Sequence, residues 1–167
     1  LSHARPEVAD YPFTTRVPTP GMMQFEDVQI QLVDLPPVSP EFLEPWLAQA
    51  IRPANASVLV VDLNDPGLLD QLAFIEQWFD ERKLTRPRLL AANKIDLGDP
   101  GDLAALEDLL GERYRIVALS AAGGTNLDGF RRAVFDMLGL VRVYTKPPGK
   151  KLELTAPFVL RRGQTVL

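Results

Sequence analysis

The chain has 167 residues, 46% of them hydrophobic and 24% charged, which is enough apolar material to bury a core and too much for a chain disordered throughout. It holds no cysteine, so disulfides, thiolate metal sites and thiol catalysis are excluded, and its one histidine, His3, leaves no multi-histidine metal site. The net charge of −4 is uneven: of 18 basic and 22 acidic residues, six basic and one acidic lie in 140–167, leaving 12 against 21 upstream.

In chain order, segments 16–25 and 28–33 alternate or carry β-branched residues around Glu26-Asp27, predicting an antiparallel hairpin whose second strand ends at Asp34. The stretch Leu35-Pro36-Pro37-Val38-Ser39-Pro40 predicts a loop, and the apolar spacing of Phe42, Leu43, Trp46, Leu47, Ala50 and Ile51 predicts a helix over 41–52. The run SVLVVDL at 57–63 has the pattern of a strand covered on both faces. There follow an amphipathic helix over 68–82, a strand over 88–92, a short helix over 103–110, a strand over 115–119 and a helix over 127–138 with Thr125 or Asn126 as its cap. Repeated β-α units imply a parallel sheet, and such sheets bind ligands outside the carboxyl ends of their strands. That places function at Asp34, 62–65, 93–96 and 120–122.

Beyond Gly139 an alternating strand, Val141-Arg142-Val143-Tyr144-Thr145-Lys146, a Pro/Gly/Lys turn and a short strand over 157–160 predict a separate β-rich module, dividing the chain into 1–139 and 140–167. Trp46 and Trp78 fall in helical apolar patterns and are expected in the core. The carboxylates of Asp62, Asp65, Asp70, Asp99, Asp102, Glu107 and Asp108 fall on turns and helix starts, where they are expected as caps and solvated faces. No apolar run approaches the ~20 residues that span a bilayer, so a cytoplasmic protein without a membrane partner is expected.

The chemistry concentrates on Asn93-Lys94-Ile95-Asp96. The Asp96 carboxylate has the acceptors to receive both N–H donors of guanine's N1 and exocyclic N2, and adenine presents a different edge. Asn93 is suited to the N7 edge and to tying neighbouring loops together, and the Lys94 methylenes to lying over the base plane. After the next strand, the small residues Ser120-Ala121-Ala122-Gly123 allow backbone N–H groups to approach the guanine O6. Upstream, Tyr11-Pro12-Phe13-Thr14-Thr15 supplies a threonine hydroxyl for Mg2+ and a backbone N–H for a γ-phosphate, and Asp34 an acidic group to hold Mg2+ through water.

Taken together, Tyr11-Pro12-Phe13-Thr14-Thr15, Pro20-Gly21, Asp34-Leu35-Pro36, Asn93-Lys94-Ile95-Asp96 and Ser120-Ala121-Ala122 resemble the Obg-type GTPases over nearly the whole chain, and most of all the developmentally regulated GTP-binding (DRG) branch with its C-terminal TGS domain. The resemblance implies an α/β, Ras-like P-loop GTPase fold, here lacking its first strand and P-loop and running into the start of a TGS-like module. It implies GTP or GDP with Mg2+ as cofactors, Thr15 as the switch I threonine and Asp34 as the opening of switch II. It also implies a slow or partner-assisted GTPase in ribosome or translation control, with ribosome, RNA or protein partners reached through the basic module.

Three departures bear on that reading. No G-x-x-x-x-G-K-[ST] motif precedes the Thr-Thr segment, so the chain is expected to begin just after it, or else to be a remnant domain, and by itself to bind nucleotide poorly. Where the family has Asp-x-Pro-Gly, Pro37 has no backbone N–H to offer a γ-phosphate, and its fixed φ stiffens the segment. Val38 stands where Ras-like enzymes place a water-orienting Gln. The missing motif and Pro37 keep open an alternative, a non-hydrolysing scaffold that uses the fold for protein or RNA contacts.

Overall fold

The computed structural model describes residues 18–146, 148–149 and 157–164. His3, Thr14 and Thr15 lie outside the described residues.

The hairpin forms as its pattern predicts. Strands β1 (Thr19–Phe25) and β2 (Val28–Asp34) pair antiparallel from Thr19 opposite Asp34 to Phe25 opposite Val28. Glu26 takes the left-handed turn conformation at φ 51°. Alternation buries Met23, Phe25, Val28 and Ile30 on one face.

Helix α1 (Leu47–Ile51) is shorter than the apolar spacing suggests. Pro45 disfavours helical backbone at Glu44 and cannot donate into a helix, while the Ser39 hydroxyl and carbonyl both accept from the Phe42 N–H, at 3.1 and 3.2 Å, closing a separate turn. Leu47 and Ile51 still reach the core, so the apolar pattern was right about burial and wrong about helix length.

The remaining units alternate as β3 (Ser57–Asp62), α2 (Leu68–Glu81), β4 (Arg88–Asn93), α3 (Pro100–Leu110), β5 (Arg115–Ala118) and α4 (Leu127–Met137). Strands β3, β4 and β5 form a parallel sheet in that spatial order, with Asp62 level with Asn93 and Ala92 with Ala118. The strand ends that should carry function are thus brought to one edge. Central β4 is buried on both faces, as its unbroken apolar run requires. Edge strand β3 is not: Leu59 and Val61 face the core, but Val60, on the opposite face, is 66% exposed, and among the described residues β4 is the only strand paired with β3.

One core cluster fills the space under α1, α2 and α3 against β3 and β4, and includes Trp78, Phe79 and Leu90. The second joins hairpin residues Met23, Val28 and Ile30 to Leu89, Ala91 and Val117 through Phe130, Ala133 and Val134 of α4. Full burial of a leucine such as Leu89 or Leu90 contributes roughly 2 kcal/mol. Trp46 and Trp78 both pack in the first cluster.

Helix α3 begins earlier than its apolar residues because Asp99 accepts from the Gly101 N–H at 2.7 Å, Asp102 accepts from the Asp99 N–H at 3.1 Å, and Pro100 occupies the first turn. Asn126, expected to cap α4, occupies the N-cap position but makes no cap bond: its backbone is left-handed at φ 56° and its side-chain amide donates to the Ala118 carbonyl at 2.8 Å. Strands β6 (Leu140–Val143) and β7 (Phe158–Arg161) pair antiparallel in a sheet of their own. Among the described residues no helix is long and apolar enough to cross a membrane.

Candidate guanine-binding site

The loop after β4 is held from both sides. On one side the Asn93 side-chain oxygen accepts from the Ala121 N–H at 2.9 Å, and the Ile95 N–H donates to the Leu119 carbonyl at 3.3 Å. The segments 93–96 and 120–122, which lie 28 residues apart at the Asn93–Ala121 bond, are therefore one structural unit. Ser120 is fully buried, its hydroxyl accepts from the Gly123 N–H at 2.9 Å, and its N–H donates to Thr125, which curls the small-residue loop so that Ala121 and Ala122 stay exposed at its rim. A side chain on Gly123 would meet the Ser120 hydroxyl at 3.0 Å. Asp96 is exposed.

On the other side the loop is fastened to the end of β3. The Lys94 ammonium lies 2.7 Å from an Asp62 carboxylate oxygen. The other Asp62 oxygen accepts from the Asn64 N–H at 3.0 Å and from the Asn64 side-chain amide at 3.2 Å, and that amide also donates to the Lys94 carbonyl at 3.1 Å. The hydrogen bond from Lys94 holds the Asp62 carboxyl below the usual carboxylate range against the opposing effect of partial burial, and Asp62 in turn raises the Lys94 ammonium. Lys94 is left-handed, at φ 65°. Asp62 is thus an ion-pair partner rather than the cap or solvated carboxylate its turn position implied. Asp65 accepts from the Gly67 N–H at 2.8 Å in the turn that precedes α2, whose N-cap, Gly67, receives no side-chain cap bond. The signal for Asp62 lay in strand register: a carboxylate closing one parallel strand falls level with Asn93 closing the next.

The remaining candidates lie apart. Asp34 is exposed at the end of β2, in the hairpin sheet. Pro37 is exposed after buried Pro36, and Val38 packs against the first core cluster. Two surface depressions, one lined by Phe25, Glu26, Asp128 and Arg132 and one by Glu76, Asp80, Arg88 and Tyr114, include none of the loop residues.

Residues 1–94 match the family described as 50S ribosome-binding GTPase. The chain belongs to that family. It is 31% identical to the GTPase Obg of Moorella thermoacetica, over all of this chain and 44% of that protein, and 33% identical to human mitochondrial ribosome-associated GTPase 2, over 77% of this chain and 34% of that protein. The family member described here therefore spans less than half the length of these two relatives. The crystal structure of Era in complex with MgGDPNP and a 16S ribosomal RNA segment superposes with a TM-score of 0.63 at 20% identity, covering 87% of this chain and 51% of Era. The fold is accordingly the α/β P-loop GTPase fold, Era-like, with β3, β4 and β5 as part of its parallel sheet.

Proposed function

We propose that the chain forms the guanine-reading part of a GTP-binding protein related to Obg, of the DRG type with a TGS-like module from 140 to 167. The observation that carries this reading is the Asn93–Ala121 hydrogen bond, which joins two loops that sequence alone could only place in order. In a complex with GTP or GDP, Asp96 accepts from guanine N1 and N2, the Lys94 methylenes cover the ring, and the N–H groups of 120–122 face O6. Mg2+ is a hard cation that takes oxygen ligands, which suits the Asp34 carboxylate and the Thr15 hydroxyl. The chain has no P-loop sequence of its own to cradle the phosphates. With Pro37 unable to donate to a γ-phosphate and Val38 packed inward, turnover is slow or assisted by a partner.

The relatives' ribosomal names and the basic module support a role in ribosome or translation control. Within that module Arg142 is already engaged by Glu26 and Asp27, which among the described residues leaves Arg161, Arg162 and Lys146 as exposed charges for RNA phosphate. The second reading, a non-hydrolysing scaffold, is favoured by Pro37 together with the absence of a P-loop motif in this sequence. Equilibrium competition on the full-length protein tests the base assignment. Labelled GDP should be displaced by GDP and GTP and resisted by at least about tenfold against ADP and ATP, a difference of about 1.4 kcal/mol. Equal displacement by adenine nucleotides would contradict it.

A further inference from the structure

We propose that Asp62 and Asn64, at the end of β3, are positioning residues that aim Lys94 across the nucleotide base. This rests on the guanine-site reading above and adds to it two residues from a different strand and loop.

An exposed ion pair by itself carries little weight, since such pairs contribute little in water. Here the pair is one of several bonds converging on a single residue. Lys94 is held at both ends, its ammonium by Asp62 at 2.7 Å and its carbonyl by Asn64 at 3.1 Å. Between those points its backbone adopts the left-handed conformation that a long side chain rarely takes, at φ 65°. A non-glycine residue persists there only where its surroundings over-determine it, and Asn64 does so through two bonds to Asp62 and one to Lys94. The opposite wall of the clamp is Gly98: a Cβ at that position would lie 2.4 Å from the Asn64 side-chain oxygen and would displace that side chain. The register sets the rest, because Asp62 and Asn93 close neighbouring parallel strands and the clamp spans the step between them.

The consequence for binding follows from side-chain entropy. A free lysine spreads over many rotamers, and a base that must recruit it orders them at its own cost; a lysine whose ammonium is already anchored presents its methylenes in one direction. Because the methylenes cover the ring plane and do not read its edge, the benefit is the same for any purine nucleotide that Asp96 accepts.

The test uses the full-length protein and GDP and IDP as probes, IDP lacking the exocyclic amine. Asp62→Asn should weaken both by the same factor, about tenfold at most, the equivalent of about 1.4 kcal/mol. Asp62→Glu should restore part of the loss. In a Lys94→Met background, which keeps the apolar stem without the charge, Asp62→Asn should have no further effect. Unchanged GDP affinity in Asp62→Asn, or an undiminished loss in the Lys94→Met background, would overturn the proposal. Asp96→Asn measured alongside separates the two readings: if it shifts base preference while Asp62→Asn does nothing, the guanine site stands and the positioning role falls. If Asp96→Asn leaves base preference unchanged, the site reading fails and this proposal fails with it.

Discussion

Pro37 concentrates two effects in one exposed residue. It lacks the N–H that a γ-phosphate would need, and its ring restricts the backbone of the segment after Asp34. In the full-length protein, Pro37→Gly should raise GTP hydrolysis or the preference for GTP over GDP by about tenfold, the scale of one hydrogen bond to a charged group at roughly 1.5 kcal/mol. It should also lower stability, by up to about 1 kcal/mol, because glycine enlarges the unfolded ensemble. Parallel GTPase assays and thermal melts check both, and a stability loss with unchanged nucleotide behaviour would leave Pro37 a loop residue. Much at this scale was legible in the sequence. Asn93 was expected to tie loops together and does so, its side-chain oxygen accepting from the Ala121 N–H, and the carboxylates of Asp99 and Asp102 were expected as caps and are. Asp62 was not legible, because a lysine 32 residues away becomes its partner only once β3 and β4 align.

At the scale of elements, what the sequence pattern specified depended on whether local chemistry or tertiary contact decided. Hairpin β1–β2 and the strands of the parallel sheet follow their apolar patterns to within a few residues, since alternation and unbroken apolar runs encode burial directly. Helix α1 is where apolar spacing misled, because the turn made by Ser39 and the proline at 45 determine its start. Helix α3 shows the reverse: its reciprocal Asp99 and Asp102 bonds add a turn ahead of the first apolar residue. Removing one of them with Asp99→Ala should cost about 1 kcal/mol of stability, read as a lower denaturant midpoint with an unchanged slope. Guanine-nucleotide affinity should not change, because the Asp99 side chain bonds within the first turn of α3, to the Gly101 N–H. An unchanged midpoint would show that the cap does not hold the helix.

Across the whole molecule, α4 links the hairpin to the parallel sheet within one core cluster, and Phe25 and Phe135 meet there at 5.0 Å between ring centroids. At the hairpin turn, Arg142 pairs with Glu26 and Asp27, the Tyr144 hydroxyl donates to Asp27, and the Arg142 guanidinium lies 5.0 Å from the Phe135 ring. The first residues after Gly139 are thus fastened to the element that ends at Asp34. Among the described residues, exposed Val60 marks where apolar sequence and burial disagree in the parallel sheet. The claim on which the functional account depends is that Asp96 reads the base. Asp96→Asn in the full-length protein measures it most directly, by comparing dissociation constants for GDP and XDP. The substituted amide loses the second acceptor that guanine's two donors require and gains a donor for the xanthine O2. Preference should therefore move from GDP to XDP by at least about a hundredfold, or about 2.7 kcal/mol. An Asp96→Asn protein that keeps its GDP affinity and still rejects XDP would contradict the account.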